Sequence, residues 1–234
     1  MTIKKLIVTR SDETQDEIVK ITHPNLKWYA KKCGADFEIL TDSKGLYHHY
    51  KILCLYELFD KYDRILSLDS DILIMKDCPS LFRVVPKDKI GTIFEDVGSR
   101  KEHRRELIRE VQDQFGDVGW TENYINTGVA IFSKQHKDIF EPKTEDEVWN
   151  GFGYDDIHLG HQIHKYGYEI YQLPYKYNHM SLFSEGWNNH KSRFTAYIVH
   201  YAGQAGFIPC KKRIDIIRED YLILKKYNLI IEVN

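Results

Sequence analysis

Residues 64–76, RILSLDSDILIMK, constrain this chain more than any other stretch. An apolar run, Ile65, Leu66 and Leu68, meets two aspartates one residue apart, Asp69 and Asp71, and a second apolar run, residues 72–75, follows at once. A near-continuous hydrophobic run of this length reads as a strand buried on both faces of a parallel sheet. Two carboxylates set into such a run are costly unless something pairs with them. In extended backbone residues i and i+2 point to the same side, so both aspartates can converge on one object. A divalent magnesium or manganese ion, which prefers oxygen ligands, satisfies them most simply. In open α/β sheets ligands sit beyond the carboxyl ends of the strands, where this pair lies. The competing assignment is a turn in which both side chains cap backbone amides.

Around that stretch the pattern is strand, helix, strand, helix, strand: residues 3–9, 24–32, 36–40, 47–62 and the acidic strand. Pro24 suits a first helical turn capped by Thr22 or His23, and Gly34 suits the end of that helix. This alternation is the pattern of a doubly wound nucleotide-binding half. It lacks GxGxxG, so a dinucleotide loop is not indicated. Downstream come a helical turn at 77–82, a strand at 89–94 and a charged helix at 99–115. Asn126-Thr127-Gly128 leads into a strand at 129–132, and a helix over 155–165 ends at Gly167. A strand at 168–173, an irregular loop at 177–189, a strand at 195–201 and a closing helix at 211–228 complete the chain. Without repeats or linker, residues 1–234 are expected to form one domain, with a nucleotide-binding half over about 1–95 and an acceptor half over about 96–234.

A formal net charge of -2 argues against nucleic acid as a partner by bulk electrostatics. Cys33, Cys54, Cys78 and Cys210 are too scattered for a zinc site or a disulfide framework, which fits reduced thiols in a cytoplasmic protein. The opening MTIKKLIVTR is too short in apolar residues for a secretory signal, and no stretch approaches the ~20 apolar residues of a transmembrane helix. The basic run at 100–105 reads as an exposed helix face with i,i+4 pairs, or else as a phosphate or peripheral membrane-surface patch.

Taken in order, these junctions resemble a GT-A glycosyltransferase, and most nearly the retaining family-eight type that includes bacterial galactosyltransferases and glycogenin. The likeness runs from about Ile3 to Gly206. Lys51 lies upstream of YDRILSLDSDILI as the family's Arg/Lys-containing helix precedes its LYLDxD strand. Asn126-Thr127-Gly128-Val129 is similar to the family's FNxGV segment, and Tyr154-Asp155-Asp156 to its DQD-type segment. His200-Tyr201-Ala202-Gly203 resembles the start of HxxGxxK, but Gly206 stands where the family carries its diphosphate-binding lysine. That departure shifts the phosphate contact to Lys211, Lys212 or Lys51 and marks a diverged relative.

The resemblance implies a metal-dependent enzyme that moves a sugar from a nucleotide-diphospho-sugar, a UDP-sugar by preference, to a hydroxyl of a glycan, a lipid-linked sugar or a protein. Asp69, Asp71 and His200 are the implied ligands of manganese or magnesium. Thr9, Arg10, Asp42, Lys51, Ser70 and Gly203 are expected around the nucleotide and its phosphates. Asn126, Asp155 and Asp156 are expected to face the donor sugar, Asp155 bonding the sugar or stabilising an oxocarbenium-like centre while Asp156 is the favoured helix-capping partner. Trp120, Trp187 and His179 are candidates for the acceptor side. The choice between retention and inversion is open at this point, since Asp155 can also serve as a general base. Two other classes compete. A haloacid-dehalogenase-like phosphohydrolase would use Asp69 as nucleophile and Asp71 as acid/base; Leu73 and the position in a third strand count against it. A nucleotide-sugar-binding module without catalysis is the other.

Overall fold

A computed structural model describes residues 3–231. Its frame is a six-stranded sheet in the order β2-β1-β3-β6-β5-β7. The strands are β1 (Lys5–Arg10), β2 (Asp36–Leu40), β3 (Arg64–Asp69), β5 (Ile90–Phe94), β6 (Ile125–Ser133) and β7 (Ile170–Gln172). Five run in one direction and β6 alone is reversed, pairing antiparallel with β3 and with β5. The strands are continuous apolar runs because both sheet faces are covered. Ile7, Leu66, Leu68, Val129 and Ile131 enter the core on one face, with α1 (Asp16–Cys33) against them. Leu6, Val8, Ile65, Ala130 and Phe132 enter the core on the other, against α2 (Leu55–Leu58) and α5 (Tyr154–Tyr166).

The acidic stretch is not one strand. The chain leaves the central sheet at Asp69, turns through Ser70, and re-enters extended structure as β4 (Ile72–Ile74) in a separate two-stranded ribbon with β8 (Ile198–His200). Ile72 pairs with His200, and the Tyr201 amide donates to the Asp71 carbonyl at 3.0 Å, so the register itself brings His200 beside the aspartates. The reversal of β6 has a matching consequence. Its first residues, Asn126–Gly128, lie at the edge where β1 and β3 end, with Leu68 opposite Val129.

Three expectations need correction. The first helix begins at Asp16, eight residues early, and carries Pro24 in its interior. The lost amide bond is offset by tertiary anchors: Thr22 Oγ1 donates to the Ser70 carbonyl at 2.6 Å, and Asn25 pairs with both the amide (2.7 Å) and the carbonyl (3.0 Å) of Ile74. The expected helix at 47–62 is instead a 3-10 run, His48–Cys54, followed by the short α2. Tyr50, Lys51, Ile52 and Leu53 are all buried, and one face of an α-helix cannot bury four consecutive residues. The charged helix α4 (Lys101–Phe115) is not solvated all round. Arg104, Leu107, Ile108 and Val111 form a buried stripe against Trp120, Tyr124, Trp149 and Ile157. The remaining helices are α3 (Leu81–Val84) and α6 (Arg213–Lys226). No helix among the described residues is long and apolar enough to cross a membrane.

Asn25 serves the edge of β4 that β8 does not cover. Asn25→Ala leaves a buried amide and carbonyl unpaired and should cost about 2 kcal/mol. Urea unfolding measures it, and an unchanged midpoint would show that the ribbon does not depend on this anchor.

Candidate active site

The carboxyl edge of the sheet opens into a cleft of about 580 Å³. At its floor Asp69, Asp71 and His200 present ligand atoms all within 4.8 Å of one another. His200 Nε2 stands 3.4 Å from Asp69 Oδ2 and 3.3 Å from Asp71 Oδ1. Its Nδ1–H donates to Asn178 Oδ1 at 2.8 Å, a contact that keeps the proton on Nδ1 and aims Nε2 at the carboxylates. Burial works against a charged imidazole, but Asp71 and Asp69 outweigh it and push His200 up to about 9. Burial likewise opposes ionisation of Asp69, yet Arg10 and His200 hold it far below the usual carboxylate range. Two carboxylates and one imidazole at this spacing fit a divalent cation such as manganese or magnesium. Gly128 makes room for them. A methyl group there would lie 2.3 Å from the His200 ring and 2.9 Å from Asp69 Oδ2.

Arginines neutralise the aspartates. Arg10, in register with Asp69 at the end of β1, forms ion pairs with both Asp69 and Asp155. Arg213, in the first turn of α6, donates to Asp71 Oδ2 at 2.8 Å. Where the resemblance placed a lysine, Gly206 has a left-handed φ of 65°, and a Cβ there would sit 2.7 Å from Ser181 Oγ. Lys211 is spent on Glu219. Neither Lys211 nor Lys212 lines the cleft, and the cation at this corner is Arg213. Lys51 does line it, buried and held by the Ser11 carbonyl (3.0 Å) and Asp12 (2.9 Å).

The sugar-side candidates converge as well. Asn126 Oδ1 accepts from Asn178 Nδ2 at 2.8 Å, so Asn178 links Asn126 to His200. The start of α5 is set by Gly153 and by Tyr154 at a φ of 35°, an unusual conformation for a residue with a side chain. It delivers Asp155 and Asp156 into the cleft. Asp155 has both oxygens engaged. Oδ2 takes Arg10 and Thr127 Oγ1, and Oδ1 lies 3.3 Å from His49 Nδ1. Burial opposes its charge, but Arg10 and His49 keep it below the ordinary value. Asp156 accepts from the Thr127 amide at 2.6 Å, and burial beside Asp155 raises it to about 7.

Ser70 and Gly203 also line the cleft, whereas Thr9 and Asp42 do not. Thr9 is buried in the sheet between Ile39 and Leu68, and Asp42 is exposed, bonding the Lys44 amide. Trp120 is a core residue stacked on His164, and His179 is buried with Ser184 at 2.9 Å. Trp187 packs on Gly98 and Phe183. None of these three lines the cleft. The arginines of the basic run are paired: Arg100 and Arg104 with Glu95, and Arg105 with Asp96 and Glu122. Sequence reasoning missed Arg213, Asn178, His49 and Glu95. Only Glu95 carried a signal, an acidic residue ending a strand as Asp69 does.

The sequence model described as "Glycosyl transferase family 8" matches residues 4–206. No curated protein matches in sequence. Solved structures share the fold at low identity. A glycosyltransferase involved in glycosylating the major capsid of PBCV-1 is 16% identical at TM-score 0.59, over 92% of this chain and 99% of that one. The galactosyltransferase LgtC, in complex with donor and acceptor sugar analogues, is 13% identical at TM-score 0.59, over 98% and 97%. A Drosophila β1,4-galactosyltransferase 7 mutant, in complex with manganese, UDP-Gal and xylobiose, is 12% identical at TM-score 0.51, over 92% and 80%. The architecture is the GT-A fold.

Gly128→Ala should displace the His200 ring and Asp69 while the sheet persists. The expected outcome is a native far-UV circular dichroism spectrum with manganese affinity lost. Unchanged manganese affinity would show that the cluster tolerates the methyl group.

Proposed function

The chain belongs to glycosyl transferase family 8 and is a glycosyltransferase, and from that premise we propose a metal-dependent transfer from a UDP-sugar to a glycan hydroxyl with retention of configuration. The observation that carries the proposal is the Asp69–Asp71–His200 cluster with Arg213 and Arg10 beside it. Manganese or magnesium held there would offset the charge that grows on the diphosphate as the glycosidic bond breaks. The donor and acceptor analogues bound to LgtC, and the manganese, UDP-Gal and xylobiose bound to the Drosophila enzyme, support that choice of ligands.

The chain's own residues then have separable tasks. Arg213, in contact with Asp71, offers its guanidinium to phosphate oxygens in place of the family's lysine. A hollow of about 650 Å³ lined by Ser11, Asp12, Thr14, His23, Ile39 and Thr41 shares Ser11 and Asp12 with the cleft, and we assign the uracil and ribose to it. Asn126, its Oδ1 already accepting from Asn178 and the Gly128 amide, offers its second Nδ2 hydrogen to a sugar hydroxyl. Asp155, kept ionised by Arg10, puts negative charge beside the oxocarbenium-like centre. With both oxygens engaged it is a poor general base, which favours retention.

Incubation with a UDP-sugar panel and manganese tests this directly. UDP release with an α-linked product from an α-linked donor is expected. A β-linked product would contradict retention and assign Asp156 as the base. Phosphate release from sugar phosphates without nucleotide would contradict the transferase chemistry.

Asp71→Ala should abolish manganese-dependent UDP binding in a folded protein, because Asp71 supplies a ligand and anchors Arg213. His200→Ala should weaken it by about tenfold, since two oxygen ligands remain. Equal losses measured by calorimetry would mean a different ligand set.

Metal ligation requires neutral imidazole. His200 is raised to about 9, so below that pH the metal must expel a proton. Manganese affinity should therefore rise with pH up to about 9, with proton uptake by the buffer on binding. A flat profile would exclude His200 as a ligand.

A further inference from the structure

Beyond Asn126 the cleft has a second wall that the donor does not require. Asn126 Nδ2 donates to Glu95 Oε2 at 3.4 Å, and Glu95, at the end of β5, is only 2% exposed. Two guanidiniums share this one carboxylate. Arg104 NH2 reaches Glu95 Oε1 at 3.1 Å, and Arg100 pairs with the same oxygen. Arg104 is 7% exposed and fixed between two rings, 4.9 Å from the Tyr124 centroid and 5.0 Å from that of Phe152. Its NH1 stands 3.4 Å from His103 Nδ1, and its buried Nε has no hydrogen-bond partner. Phe152 is 58% exposed, an apolar platform beside the guanidinium at the rim.

Two arginines face one carboxylate. Glu185 and Asp156 also lie near Arg100; Glu185 keeps its charge while accepting from the amide and hydroxyl of Ser99, and Asp156 is raised to about 7. Burial and the neighbouring Arg104 both make the Arg100 charge less favourable. Arg100, its side chain 29% exposed at the cleft, and Arg104, its buried Nε unpartnered among the described residues, keep guanidinium hydrogens for an incoming anion. Planar guanidiniums match carboxylate and phosphate oxygens in a forked geometry.

We propose that Arg100 and Arg104, with Phe152 as a stacking platform, form a subsite that selects an acceptor glycan bearing a carboxylate or a phosphate. The acceptor's position follows from the proposed function: the donor diphosphate lies with Asp69, Asp71 and Arg213, its sugar lies against Asn126, and the acceptor lies beyond. A neutral acceptor covers these guanidiniums without supplying a charged oxygen for their remaining hydrogens, so selection acts against it as well as for the anion.

The test is binding of the full chain to an array of oligosaccharides in matched neutral, uronate and phosphorylated forms, with and without UDP and manganese. Binding should be confined to the anionic forms, and the uronate and phosphate arms tell which anion is read. Arg100→Gln should weaken that binding by about tenfold. Arg104→Lys keeps a charge for Glu95 and so preserves the fold, but it loses the fork and should weaken binding as well. UDP affinity in manganese, measured on the same samples, should not change in either variant. Absence of any preference for anionic glycans, or variants that bind them like the parent, would overturn the proposal. So would a loss confined to UDP-glucuronate, since the subsite would then serve the donor. Failure of the parent chain to bind UDP with manganese would instead count against the donor assignment, and the array result stands apart from it.

Discussion

Arg10 lies between Asp69 and Asp155, and its guanidinium contacts both carboxylates. The rest of the site depends on that contact. Parallel strands bring their carboxyl ends to one edge, and β1 and β3 deliver Arg10 and Asp69 there in register. The start of α5 adds Asp155 and Asp156 to the same edge, and the turn into β4 adds Asp71. So many carboxylates in a partly dry cleft repel one another unless cations are interleaved. Arg10 serves Asp69 and Asp155, while Arg213 and His200 serve Asp71. The result is a cleft in which Asp69 and Asp155 stay ionised. Asp156 alone is left to hold a proton near neutrality.

Backbone geometry converts that electrostatic arrangement into a site. The break at Ser70 sends β3 and β4 into different sheets, and β8 brings His200 alongside β4. Asn178 holds the His200 ring on one side and Asn126 on the other. The Asp69–Asp71–His200 cluster and Asn126 therefore share one hydrogen-bonded element. Gly128 is the space this arrangement needs, for any side chain there would strike both ligands. At the corner where Gly206 departs from the expected pattern, Arg213 at the start of the next helix donates to Asp71.

The acidic pair, the NTG segment and the start of α5 were legible in sequence because each is a polar interruption of an apolar pattern, and such interruptions need a physical reason. The strands were legible because burial on both faces leaves an uninterrupted apolar run, as in β1, β3 and β6. Helix α1 was misread at Pro24, since nothing local reports that Thr22 and Asn25 are anchored to Ser70 and Ile74 about fifty residues away. Residues 50–53 were misread because a 3-10 run and an α-helix share one apolar composition. Arg213 and Asn178 were invisible for a different reason. Each acts through a partner distant in sequence, Asp71 and His200, and only the folded register joins them. Thr9 followed the right strand but points into its core, which alternation alone does not reveal when both faces are apolar.

The central claim is that the acidic edge is a metal-assisted diphosphate clamp. Calorimetric titration of UDP and then of GDP, each in manganese and in EDTA, tests it most directly. The account predicts UDP binding that appears with manganese and vanishes with EDTA, and weaker or no binding of GDP. Binding of neither nucleotide under either condition, or equal UDP binding in EDTA, would contradict it.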